Sequence, residues 1–102
     1  MKLYWTGTAK NDLKAIRRYI AADNPNAANR WVDRLRARAK KALQAPLAGR
    51  KVPEFSREDI RELIEGNYRI VYQVFEDRLV VLTVFEGHRL FPEDEECISK
   101  NS

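Results

Sequence analysis

At 102 residues, 44% hydrophobic and 33% charged, the chain has the size and make-up of one soluble globular domain with a single core and little to spare. No apolar run approaches the ~20 residues of a membrane span, the opening MKLYWTGTAKND lacks the apolar stretch of a secretory signal, and the lone Cys97 excludes an internal disulfide or a cysteine-based zinc site. The formal charge of +4 understates the basicity of the body, because segment 92–102 sets Glu93, Asp94, Glu95 and Glu96 against Lys100 alone; without it, 18 basic residues face 11 acidic ones, a net +7 that favours polyanions, whether nucleic acid or an acidic peptide.

In chain order, Lys2 to Thr6 (KLYWT) combines aromatic and β-branched residues and predicts a short strand added to a later sheet. Thr8 is the expected N-cap of a first helix reaching about Ala22, with Asn11 and Asp12 near its positive end and an apolar stripe of Ala9, Leu13, Ile16 and Ile20. Asp23-Asn24-Pro25 breaks the helix and restarts it, since Pro25 suits the first position of a helix and Asn24 can cap it. A second helix follows to about Gln44, with Ala28, Trp31, Leu35, Ala39, Ala42 and Leu43 on one face, and Pro46 and Gly49 end it. So short a link predicts an antiparallel helical hairpin covering one face of a sheet.

The second helix concentrates Arg30, Arg34, Arg36, Arg38, Lys40 and Lys41 against Asp33 alone, which reads either as a solvated face or as a docking surface. Residues 50–59 (RKVPEFSRED) form a polar connector in which Pro53 argues against a central strand. Three strands are then expected at Ile60–Ile64, Tyr68–Phe75 and Leu79–Phe85, joined by Glu65-Gly66-Asn67 and Glu76-Asp77-Arg78 as antiparallel hairpins. Arg61, Arg69 and Arg89 sit on or beside these strands, where their guanidiniums are placed to converge on one anion. Glu62 and Glu65 are equally placed for ordinary cross-strand ion pairs with Arg61 and Arg69. His88, the only histidine, reads more readily as structural than as a general acid or base, and no glycine-rich phosphate loop or cluster of metal ligands is present. The expected architecture is α+β: an N-terminal strand, an antiparallel helical hairpin, then a three-stranded antiparallel meander completing one sheet. The domain is expected to span 1–91, with 92–102 an acidic, flexible tail.

This order, carried by AKNDLKAIRRYI, DNPNAANR, LAGRKVPE, IRELIEGNYRIVYQV and the closing VFEGHRLFP, resembles the RelE/ParE superfamily of type II toxin-antitoxin toxins. The most characteristic segment is Arg61 to Tyr72, with Gly66, Tyr68 and Arg69. The resemblance implies one of two activities without metal or cofactor. RelE-like members are ribosome-dependent endoribonucleases that cut mRNA with basic residues, whereas ParE-like members poison DNA gyrase and block replication. Arg69 and Arg89 match two arginines of the ribonuclease site, with Arg61 beside them. Ile60 and Glu62, however, stand where ribonucleases carry lysines, and Glu95 where they carry a late tyrosine. The DNPNAANR link and the HRLFP ending are closer to ParE. Under either activity the resemblance implies a cytoplasmic toxin, with no membrane partner, neutralised by a cognate ParD-like antitoxin. The antitoxin's disordered C-terminal segment is expected to cross the hairpin near Trp31, Arg34, Leu35 and Arg38.

Overall fold

The computed structural model describes residues 1–87; His88, Arg89 and the acidic tail lie outside the described residues. Strand β1 (Lys2–Trp5) leads into helix α1 (Gly7–Ala21), which turns directly into helix α2 (Pro25–Lys41). Two single 3-10 turns, Ala42–Gln44 and Pro46–Ala48, carry the chain to a two-residue strand β2 (Arg50–Lys51). Strands β3 (Ile60–Glu65), β4 (Tyr68–Val74) and β5 (Arg78–Glu86) follow. The described residues form one five-stranded mixed sheet in the order β1-β5-β4-β3-β2, in which β1 runs parallel to β5 and the other neighbours are antiparallel.

The helices begin where side chains can satisfy their first amides. Thr6, rather than the expected Thr8, caps α1, its hydroxyl oxygen accepting the Ala9 N–H at 3.0 Å. Asn24 does the same for α2, accepting from the Ala27 N–H at 3.1 Å, with Pro25 in the first turn. Asp12 does not serve the helix end as expected. Its carboxylate accepts from the Thr83 hydroxyl at 2.6 Å and the Val84 N–H at 2.9 Å, which joins α1 to β5.

That link answers an irregularity in the sheet. Val71 pairs with Thr83 but Tyr72 pairs with Val81, so Leu82 has no partner on β4 and β5 bulges there. A bulge strands backbone groups, and here the N-cap and second turn of α1 take them up: Asp12 accepts the Val84 amide, and the Thr6 hydroxyl donates to the Leu82 carbonyl at 2.9 Å.

The sheet carries a core on each face. Leu13, Leu35, Ala39, Ile70, Tyr72, Leu79, Val81 and Val84 pack between sheet and helices, joined by Trp5, Ile16 and Trp31. On the opposite face Val52, Ile60, Val71, Leu82 and Phe85 form a smaller cluster with Phe55. The expected polar connector thus supplies the edge strand β2 and also Val52, which is fully buried. The β3–β4 turn is shorter than expected. Only Gly66 and Asn67 intervene, and Gly66 has a φ of +59°, as a two-residue hairpin turn with glycine first requires. No helix among the described residues is long and apolar enough to cross a membrane.

Candidate functional site

Successive side chains of a strand alternate between faces, so Glu62 on β3 and Arg69 on β4 share the face away from the helices. Glu62 lies opposite Val71 and Arg69 opposite Ile64, which makes the two diagonal neighbours across the hairpin. Arg69 Nε donates to Glu62 Oε1 at 2.6 Å, and Nη2 reaches Glu54 Oε1 at 3.3 Å. The second Glu62 oxygen accepts from Arg50 Nε at the sheet edge. Glu62 is 1% exposed and Arg69 7%, so the pair is held almost out of water.

Burial at this depth disfavours an isolated charge by several kcal/mol, and only close partners make it tolerable. The shift in Arg69 follows that balance. Burial disfavours its guanidinium charge, but the hydrogen bonds it donates to Glu54 and Glu62, with the charge of those carboxylates, outweigh it and hold the pKa above the ordinary arginine value. Phe85 closes over the guanidinium, its ring centroid 5.0 Å from Cζ. Two arginines and two glutamates compensate one another within the cluster. Arg69, the residue matching a ribonuclease arginine, therefore already has carboxylates where a phosphate would bind.

Arg61 stands apart from this cluster. It pairs with Tyr72, on the helix side of the sheet, and its guanidinium donates to the carbonyls of Glu58 at 2.8 Å, Gly49 at 3.1 Å and Leu47 at 3.2 Å. Its role is to fasten the chain after α2 to the start of β3. The expected convergence of Arg61, Arg69 and Arg89 is thus not seen: Arg61 and Arg69 occupy opposite faces, and Arg89 and His88 lie outside the described residues. Glu65 also departs from expectation. It pairs across to α2, with Arg34 at 2.6 Å and Arg38 at 3.7 Å, rather than with a neighbouring strand.

The other proposed contact residues divide sharply. Leu35 is 0% exposed and belongs to the core, so it presents nothing to a partner in the folded protein. Trp31 is half-buried, edge-on to Tyr68 with centroids 5.5 Å apart, and pressed over Gly66, while Arg34 stacks on its outer face at 4.2 Å. Trp31, Arg34 and Arg38 therefore form one accessible surface at the hairpin turn of the sheet. Sequence reasoning missed Glu54 and Arg50, which pair with the buried Arg69 and Glu62 from the exposed rim of the cluster. The available signal was the hydrophobic Val52 and Phe55 flanking Glu54, a pattern of a segment laid on the sheet rather than a free connector.

Comparison with known proteins gives concordant results. The sequence matches the model of the ParE toxin of the type II toxin-antitoxin system parDE over residues 3–91. No curated protein matches it. Among solved structures, a chromosomal ParDE toxin-antitoxin system from Pseudomonas aeruginosa shares 25% identity at a TM-score of 0.70, covering 84% of this chain and 95% of that one. The RelBE2 toxin-antitoxin complex of Mycobacterium tuberculosis has 21% identity and a TM-score of 0.60, with 83% and 95% covered. The conserved hypothetical protein HP0894 of Helicobacter pylori has 21% identity and a TM-score of 0.56, with 89% and 99% covered; these two likenesses establish the fold. With its strand, helical hairpin and closing sheet all inside the matched span, the chain belongs to the ParE toxin family of type II toxin-antitoxin systems.

Proposed function

We propose that this toxin binds DNA gyrase and blocks replication, acting in the cytoplasm without cutting RNA. The observation that supports the reading is the enclosure of Arg69 by Glu62 and Glu54. Cleavage of RNA by basic residues needs cations facing the scissile phosphate as negative charge develops on it. A buried carboxylate on that face repels the phosphate and occupies the guanidinium. The family match, which is to ParE rather than to the ribonuclease branch, supports the same choice.

A gyrase cleavage assay with purified toxin, run beside a translating extract, tests the reading. Accumulation of gyrase-cleaved DNA with intact mRNA is expected. Gyrase unaffected at micromolar toxin overturns it, and mRNA cleavage that is abolished in a folded Arg69→Ala variant replaces it with a ribosome-dependent endoribonuclease.

An antitoxin completes the function. The Pseudomonas aeruginosa relative comes from a ParDE system and the Mycobacterium tuberculosis one from a toxin-antitoxin complex. The antitoxin segment, ParD-like and acidic, is proposed to settle on Trp31, Arg34 and Arg38. Glu65 already offsets part of the arginine charge there, so the indole contributes much of the contact. Reversing both charges, Arg34→Glu with Arg38→Glu, is expected to weaken antitoxin binding; unchanged affinity at low salt removes this surface from the complex.

A further inference from the structure

The charges of this protein are unevenly neutralised. Residues 1–49 hold 11 basic and 3 acidic side chains, while residues 50–87 hold 6 basic and 8 acidic. In the second group every cation has a carboxylate within ion-pair distance: Arg50, Lys51, Arg57, Arg61, Arg69 and Arg78. In the first group only Arg34 and Arg38 do, among the described residues.

Four of the nine uncompensated cations meet in one place. A groove of about 400 Å³ lies between β1, α1 and α2, lined by Lys10, Lys14, Arg17 and Arg36 around Trp5, Leu13 and Val32. Among the described residues, no carboxylate lines it. Of the two acids adjacent in sequence to lining residues, Asp12 is turned into the sheet and held by Thr83 and Val84, and Asp33 does not line the groove. Lys10, Lys14 and Arg17 fall at i, i+4 and i+7 on one helix face, so they form a continuous row.

We propose that this groove binds the phosphate backbone of duplex DNA. The row from Lys10 to Arg17 spans about 10 Å of helix axis. The three flexible side chains of that row can each reach a phosphate of the duplex, and Arg36 adds a fourth cation from the opposite wall. The floor argues against an amphipathic acidic peptide. Such a ligand is anchored by apolar side chains entering pockets, yet Leu13 is 4% exposed and Val32 0%, leaving Trp5 as the accessible apolar surface. What the groove offers to solvent is four cationic heads on apolar stems beside the Trp5 indole, with no pocket between them for an inserted side chain. The contacts are to backbone, so binding is independent of sequence. The site goes beyond the gyrase reading and does not depend on it.

Fluorescence anisotropy of a short labelled duplex with the full-length toxin tests the site. Four phosphate contacts predict that log K falls against log salt with a slope of about −3.6. Lys14→Gln with Arg17→Gln is expected to weaken binding several-fold and to reduce the slope by about 2. Arg57→Gln, which removes a cation paired with Asp59 far from the groove, is expected to leave both unchanged. Thermal unfolding confirms that each variant is folded. Absence of duplex binding at low salt overturns the proposal, as does binding that is indifferent to the groove substitutions. A poly-glutamate peptide that occupies the groove while the duplex does not overturns it in favour of an acidic protein partner. Duplex binding by a toxin that leaves gyrase untouched supports the site and overturns the gyrase reading alone.

Discussion

Glu62 shows how far one side chain can decide what a face of the sheet does. Its carboxylate is out of water and joined to Arg69 and Arg50, so removing it leaves a buried guanidinium with Glu54 as the remaining carboxylate among the described residues. Glu62→Ala is expected to lower stability by about 3–5 kcal/mol, read from the denaturant midpoint. Gly66 is constrained differently. Its φ of +59° strains any side chain, and an added Cβ would run into the Trp31 indole. Gly66→Ala should therefore cost about 1–3 kcal/mol and alter Trp31 fluorescence; an unchanged midpoint would mean that the turn relaxes freely. Tyr72 gives a pH signature. Burial raises its pKa, as it does that of Tyr68, and the Tyr72 hydroxyl donates to the Pro46 carbonyl at 2.7 Å. A raised pKa in the folded state means that the native protein keeps the proton more tightly than the unfolded chain. The resulting stability is fully present below pH ~10 and is lost as pH rises through the folded value. Tyr72→Phe should flatten that alkaline decline while costing about 1 kcal/mol at neutral pH for the lost hydrogen bond. The pairing of Glu62 with an arginine was legible from the sequence, but which arginine depended on one residue of turn. Counting Glu65-Gly66-Asn67 as the loop places Arg61 and Arg69 on the same face. The real two-residue turn shifts the register by one and sends Arg61 to the other side.

At the level of elements, the helices were legible because their apolar stripes repeat over 15 and 17 residues. Their starts were less so, since Thr6 and Thr8 are equally good caps by residue type. The choice falls to Thr6 because its hydroxyl also serves the Leu82 carbonyl of the bulge, a contact 76 positions away in sequence. Strand β2 was illegible for a simpler reason: two residues, Arg50 and Lys51, cannot display a period of two. The bulge in β5 offers the sharpest test at this scale. Asp12→Ala leaves the Thr83 hydroxyl and the Val84 amide without that acceptor. A loss of about 1–3 kcal/mol is expected, with faster hydrogen exchange at the Val84 amide than in the centre of β4. Equal protection in both proteins would show that α1 does not clamp the strand.

For the whole molecule, the order of elements sufficed to read a helical hairpin laid on a sheet, because a link as short as Ala22-Asp23-Asn24 permits little else. The partition of charge was not legible in the same way. A sequence count gives totals, whereas pairing of sheet-side cations with carboxylates, and its near absence on the helices, depends on three-dimensional neighbours. The topology carries a consequence for how the toxin comes into being. Strand β5, the last element described, is the one against which β1 lies in parallel and which α1 grips through Asp12. A nascent polypeptide halted before residue 78 has made both helices yet lacks Leu79, Val81 and Val84, the part of the core that β5 sets beneath α1. Truncation after Phe75 should therefore give a chain without a cooperative melting transition, and interrupted synthesis yields an inert fragment instead of a weakened poison.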